Sequence, residues 1–281
     1  MHVVRTVRQA RDLARALPRP LGLVPTMGAL HAGHLRLVET ARNAAASVAA
    51  SIFVNPLQFG PNEDFGRYPR SFESDVAQLE AAGVDLVFAP DVAEMYPAGF
   101  LTSVDPGPIG TIFEGAIRPG HFNGVATVCT KLFSIFESEL AYFGEKDAQQ
   151  VAVLKRIVAD LNLPVALRVV ATVRENDGLA LSSRNAYLSP EERAAAPSLY
   201  RALRDVAAAI VAGARERDTI ERARRHLATP LHEAYLDVVD PTTFTPLEVL
   251  AAPCVVIGSV YAGATRLIDN IPITAAVVRA A

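Results

Sequence analysis

Lysine is almost absent from this chain of 281 residues. Only Lys131, Lys146 and Lys155 occur among its 27 basic residues, so 24 are arginine and Arg serves wherever an ordinary positive charge suffices. A lysine in this background marks a special requirement. Cysteine is equally scarce. Cys129 and Cys254 lie far apart and outside any C-x-x-C pattern, which excludes a disulfide framework or a cysteine-built zinc site and predicts a cytoplasmic protein in a reducing compartment. Long apolar runs are missing as well. The longest stretch, Ala44 to Val54, is broken by serines and falls short of the roughly 20 residues a spanning helix requires. An excess of either charge is also lacking: 27 basic against 30 acidic residues give a net charge of -3. Bulk charge therefore supplies no argument for nucleic-acid or membrane partners, while a local basic pocket for a small anion stays open.

What is present is a globular composition, 51% hydrophobic and 20% charged, long enough for one large or two modest cores. Arg5, Arg8, Arg11 and Arg15 interleave with Val4, Val7, Leu13 and Leu17, the pattern of an amphipathic first helix rather than a transit segment. From Leu21 to about Val170, β-rich runs alternate with helical patterns, which predicts βαβ units, an α/β fold with a Rossmann-like parallel sheet and helices on both faces. The strands are expected at Leu21–Val24, Val48–Val54, Val84–Phe88, Leu140–Phe143 and Val165–Val170. Apolar residues at helical spacing fall between them: Phe72, Val76 and Leu79; Val125, Val128, Leu132 and Ile135; Val151, Leu154 and Val158.

The pattern changes after Arg174. A turn-rich Glu175-Asn176-Asp177-Gly178 precedes Ser189-Pro190-Glu191-Glu192, a helix start with proline at the first helical position. Helical stretches and apolar runs at Tyr235–Val239 and Val255–Tyr261 follow. We therefore expect residues 1–174 to form the Rossmann-like domain and residues 175–281 a smaller α+β domain.

Four segments carry chemistry. Met27, Gly28, Ala29, Leu30, His31, Ala32, Gly33 and His34 follow the first strand and lead into a helix, where outward amides and the helix dipole favour an anion. Two imidazoles three residues apart suit phosphoryl oxygens, and equally suit caps, core positions or metal ligands. Gly144, Glu145, Lys146 and Asp147 stand at a later strand-to-helix junction. A lysine there opposes the helix dipole at a cost of about 0.3 to 1 kcal/mol unless an anion offsets it, and Gln150 lies one turn on. Leu181, Ser182, Ser183 and Arg184, before Asn185, place two hydroxyls beside a guanidinium, though Ser and Asn are also ordinary turn residues. Asn55 and Gln58, in Asn55-Pro56-Leu57-Gln58-Phe59-Gly60, offer amides suited to hydroxyls and carboxylates.

The ordered set VPTMGALHAGH, FVNPLQFGPNEDFGRYPR, RPGHFNGVATV, YFGEKDAQQ and LALSSRNAYLS resembles the pantoate–β-alanine ligases, members of the H-x-G-H nucleotidylyltransferase superfamily. The resemblance implies an ATP-dependent, AMP-forming ligase that joins (R)-pantoate to β-alanine through a pantoyl adenylate. It implies ATP contacts from Met27 to His34, from Gly144 to Asp147, at Val173 and from Leu181 to Arg184, with His31, His34, Lys146 and Arg184 in catalysis and His34 as the acid. Gln58, Gln150 and Asn55 would hold pantoate, Asp75 and Gln78 would contact Mg2+, and the chain would be a homodimer with small-molecule partners. Ser74, Ala148 and Leu181 depart from residues common in the family, and Arg118 and His121 would shape the amine site. A nucleotidylyltransferase acting on a phosphate-bearing acceptor and a non-catalytic nucleotide sensor are the alternatives.

Overall fold

The computed structural model describes residues 1–61 and 63–274; the last seven residues of the expected second domain lie outside the described residues. Internal contacts divide the chain into two units, residues 1–144 with 153–171, and residues 145–152 with those from 172 onward.

The first unit contains β1 (His2–Val4), α1 (Val7–Ala16), β2 (Leu21–Thr26), α2 (Ala32–Arg42), β3 (Ser47–Ile52), α3 (Phe72–Ala81), β4 (Leu86–Phe88), α4 (Val92–Met95), α5 (Glu114–Ile117), α6 (His121–Phe136), β5 (Leu140–Gly144) and β6 (Ala166–Val170); α7 (Ala148–Asp160) crosses from one unit to the other. Six parallel strands lie in the order β1-β4-β3-β2-β5-β6. Consecutive strand residues face opposite sides, so both faces need cover. On β4, Val87 joins the core that α2 and α3 build with Val24, Leu37, Val38 and Leu79, whereas Phe88 meets Phe136 of α6 edge to face at 6.1 Å. Val4, expected on the first helix, is instead the buried end of β1, and Leu17 is the residue that caps α1.

The order of strands creates a switch point. From β2 the chain steps to β3 on one side, while β5 lies on the other, so the connections reverse direction between β2 and β5. Crevices at such switch points, beyond the carboxyl ends of strands, bind ligands in open α/β sheets. β2 pairs with β3 along all six of its residues but with β5 only at Gly22 and Leu23, leaving Val24 to Thr26 unpaired on that side. Pro25, which has no N–H to give, sits in this unpaired stretch.

The second unit holds α8 (Pro190–Ala195), α9 (Pro197–Val211), α10 (Asp218–Arg224), β7 (His232–Val239), β8 (Cys254–Ala262) and β9 (Thr265–Ile273), with the strands antiparallel in that order. Ser189 and Glu192 form the expected capping box with Pro190 at the first helical position. Leu199, Leu203, Val206 and Ile210 of α9 pack on Leu236, Val238, Val256 and Val260 of the sheet. No helix among the described residues is long and apolar enough to cross a membrane.

Candidate active site

The turn after β2 is built on left-handed backbone. Gly28 (φ 82°) and Ala29 (φ 51°) turn the chain, and a Cβ on Gly28 would lie 2.9 Å from Asp75 Oδ2, so glycine is required there by both conformation and space. Thr26 Oγ1 donates to Ser51 O and accepts from the Gly28 amide. Asp75, buried in the first turn of α3, accepts the Ala29 and Leu30 amides at 2.9 Å each and the Ser71 hydroxyl at 3.1 Å. His31 Nδ1 accepts the Gly33 amide at 3.1 Å, and His34 Nδ1 accepts the His31 amide at 3.3 Å, a capping box built from two imidazoles.

These bonds correct one expectation. The amides of Gly28, Ala29, Leu30, His31 and Gly33 do not point outward for an anion, because a hydroxyl, a carboxylate and two imidazoles already take them. The caps prepare the rings instead. A ring nitrogen that accepts an N–H is unprotonated, so each neutral imidazole carries its proton on Nε2, on the far side of the ring. The two rings lie 4.1 Å apart between centroids. Histidine caps and histidine donors are thus one arrangement rather than competing readings.

Asp75 was expected beside Gln78 at magnesium. Its carboxylate is committed to the turn, and Gln78 Nε2 donates back to Ser74 within its own helix. Among the described residues no three His, Cys, Asp or Glu side chains converge as a metal cage. Asp75 thus serves the turn after β2, and among the described residues no set of side chains encloses an ion on its own.

Asn55 also differs from expectation. Its Nδ2 donates to Gln58 Oε1 (3.0 Å) and Gly124 O (3.1 Å), and its Oδ1 accepts from Tyr96 Oη (2.9 Å) and the Leu57 amide (3.3 Å). All four of its hydrogen-bonding positions are filled by protein, leaving none for pantoate. Gln58 is the residue so held. Its carbonyl accepts from Arg118 Nη2 (3.1 Å) and His121 Nδ1 (2.9 Å), and Arg118 pairs with Glu63 at 2.5 Å. Because a carbonyl only accepts, His121 Nδ1 carries the proton and Nε2 accepts from Arg118 Nη1 at 3.1 Å. Burial and then the Arg118 charge push this imidazole down to about 4, so it is neutral. Arg118 and His121 thus brace Gln58. α6 approaches the Pro56–Gln58 turn so closely that a Cβ on Gly124 would lie 2.2 Å from Leu57 O.

In the second unit, residues not singled out in the sequence organise the expected ones. Asn270 of β9 donates from Nδ2 to the carbonyls of Glu145 and Lys146, both at 2.8 Å. Its neighbour Asp269 grips Arg174 with two bonds of 2.5 and 2.9 Å, and that guanidinium lies 3.7 Å from the Tyr200 ring centroid. Arg174 bridges to Ala180, and the Leu181 amide donates to Val173 O, so residues 173–181 form a closed loop. Ser182 caps the short helical turn Ser183–Tyr187 by accepting the Arg184 amide. One edge strand therefore anchors both the Lys146 turn and the Ser182–Arg184 segment. Lys146 is half-buried and its ammonium pairs with no described residue. Gln150 is half-buried, whereas Gln149 is buried.

The pantoate-beta-alanine ligase family model matches residues 2–272. Pantothenate synthetases of Roseiflexus sp. (strain RS-1) and Chloroflexus aggregans are 54% and 53% identical, covering 96% of this chain and 98% and 99% of theirs. The crystal structure of pantothenate synthetase from Thermus thermophilus superposes with a TM-score of 0.92 at 51% identity, covering 98% of this chain and all of that one. The Francisella tularensis pantoate-beta-alanine ligase, complexed with beta-gamma ATP and beta-alanine, superposes at 0.80 with 33% identity and 97% coverage of each chain. This chain belongs to the pantoate–β-alanine ligase family.

Proposed function

We infer that this ligase joins (R)-pantoate to β-alanine through a pantoyl adenylate, consuming ATP and releasing AMP and pyrophosphate. The observation that carries the reading is the imidazole pair beside the β2–β5 switch point, each ring with Nδ1 spent on a backbone amide and a proton on Nε2. The Francisella relative's ligands, beta-gamma ATP and beta-alanine, support the substrates.

A carboxylate is a poor acyl donor. One pantoate oxygen therefore attacks the α-phosphorus of ATP, the bond to pyrophosphate breaks, and charge grows on the phosphoryl oxygens. The β-alanine amine then attacks the acyl carbon, loses a proton, and AMP departs with the shared oxygen. Positioning and charge stabilisation carry such steps. In this reading the neutral His34 donates a hydrogen bond from Nε2–H to the α-phosphoryl group, where the family resemblance implies an acid, and His31 contacts phosphate. Lys146 supplies a point charge on the phosphates, a task for which a compact ammonium suits better than a guanidinium. Met27 to His34 and Gly144 to Asp147 line ATP, Val173 meets adenine, and Leu181 to Arg184 close over the triphosphate with Arg184 in catalysis. Gln58 and Gln150 hold pantoate. Magnesium would come with the nucleotide and neutralise charge on its phosphates.

We assign nucleotide and pantoate binding to residues 1–174 and a lid to residues 175–281, supported by the separate core of the second unit. The homodimer rests on family resemblance, and a cytoplasmic location on the scarcity of cysteine. Pantoate labelled with 18O in its carboxylate tests the route. One label per turnover should appear in AMP; label in a free phosphate or pyrophosphate, or none in AMP, contradicts it.

A further inference from the structure

We propose that Tyr96 is a positioning residue for pantoate, acting through Asn55 to make Gln58 a hydrogen-bond donor toward the substrate. The inference rests on the reading of Gln58 as a pantoate contact and extends it to a residue that touches no reactant.

Two backbone groups beside Asn55 have roles that admit no choice. The Leu57 N–H only donates and Gly124 C=O only accepts, so their bonds to Asn55 fix Oδ1 on one side of that amide and Nδ2 on the other. The second Nδ2 hydrogen goes to Gln58 Oε1, and Gln58 is thereby fixed in turn. With its oxygen occupied, Gln58 keeps Nε2 for a ligand, and no described residue accepts from it. The group offered is an N–H donor, matched to a carboxylate or hydroxyl oxygen of pantoate and mismatched to an ammonium.

Tyr96 completes the lock. Its hydroxyl donates to the remaining lone pair of Asn55 Oδ1 at 2.9 Å, and without it the Leu57 contact at 3.3 Å alone holds that oxygen. The tyrosine is itself fixed, packed against Phe53 (6.0 Å between centroids) and Phe100 (5.0 Å). Lys131, one of only three lysines, places its ammonium 5.6 Å from the Tyr96 ring centroid and 4.9 Å from that of Phe100, with no carboxylate paired to it among the described residues. Burial raises the phenol well above its ordinary value and keeps it protonated, as the donor role requires.

Tyr96→Phe removes one hydroxyl and nothing else. Steady-state kinetics on the full-length enzyme, wild type, Tyr96→Phe, Gln58→Ala and the double variant, test the relay. Tyr96→Phe should raise KM for pantoate about three- to tenfold, the loss of one buried hydrogen bond, with KM for ATP unchanged. In the Gln58→Ala background the same change should have no further effect, because the relay has lost its last member. An unchanged pantoate KM in Tyr96→Phe, or an equal factor in both backgrounds, overturns the proposal while leaving Gln58 as a pantoate contact. A normal pantoate KM in Gln58→Ala overturns the underlying reading and the relay with it. Should Tyr96→Phe fail to fold, Asn55→Asp carries the test: it keeps the shape but replaces the donor to Gln58 Oε1 with an acceptor, and must raise the pantoate KM only when Gln58 is present; an equal rise without Gln58 overturns the relay.

Discussion

His34 Nδ1 accepts the backbone N–H of His31, so the second imidazole of the motif is locked to the first through the start of α2. An asparagine can imitate this contact, its Oδ1 standing where Nδ1 stood, but it has no group at the Nε2 position. His34→Asn should therefore stay within about 1 kcal/mol of wild-type stability while turnover falls at least about a hundredfold, as for His34→Ala. Chemical denaturation and kcat, measured on one preparation, separate the two roles; near-normal turnover in His34→Asn would remove Nε2 from the mechanism.

Asp75 holds the turn after β2. Asp75→Asn leaves at least one of the Ala29 and Leu30 amides facing an NH2 group, and should cost about 1 to 3 kcal/mol. KM for ATP should rise, while the magnesium concentration at half activity, measured at saturating ATP, stays put. A shift in magnesium dependence with unchanged stability would make Asp75 a ligand instead.

Lys146 and Asn270 divide charge from placement. Lys146→Ala should lower kcat at least about a hundredfold, and Lys146→Arg should fail to restore it, since a planar fork does not reproduce a compact point charge. Asn270→Asp turns a donor to the Glu145 and Lys146 carbonyls into an acceptor that repels them. It should raise KM for ATP with a smaller effect on kcat, a split read directly from initial rates.

His121 gives a pH dependence of defined sign. Its folded value of about 4 lies below the ordinary 6.5, so the unfolded chain binds the proton more readily. The stability tied to neutral His121 is complete above about pH 6.5 and is lost as pH falls toward 4, at most about 3 kcal/mol. Denaturant melts from pH 7 to 4 on wild type and His121→Gln should show the variant with the shallower loss; parallel curves would mean that His121 titrates normally in the fold.

Much of this was legible in the sequence because it is local. Strand-helix alternation, the Ser189 cap and the H-x-G-H turn each rest on residues within a few positions of one another. The three-residue β1 was too short to register, and β9 was missed because Asp269, Asn270 and Pro272 interrupt its apolar pattern; an edge strand tolerates that proline, and the two polar residues are turned to anchoring work. The outward amides failed for a different reason. Asp75 reaches them across 45 and 46 residues of sequence, and Asn270 reaches Lys146 across 124. Spacing cannot reveal partners that only the sheet order brings together. Asn55 misled in the same way: an amide beside a turn looks available until Tyr96 and Gly124 arrive from distant segments.

On the proposed route pantoate is activated as its adenylate before the amine enters. Exchange of labelled pyrophosphate into ATP, measured with enzyme and magnesium but without β-alanine, tests it most directly. Exchange should require pantoate and should fall at least about a hundredfold in His34→Asn and Lys146→Ala. Exchange that proceeds without pantoate, or none when pantoate is present, would contradict the account.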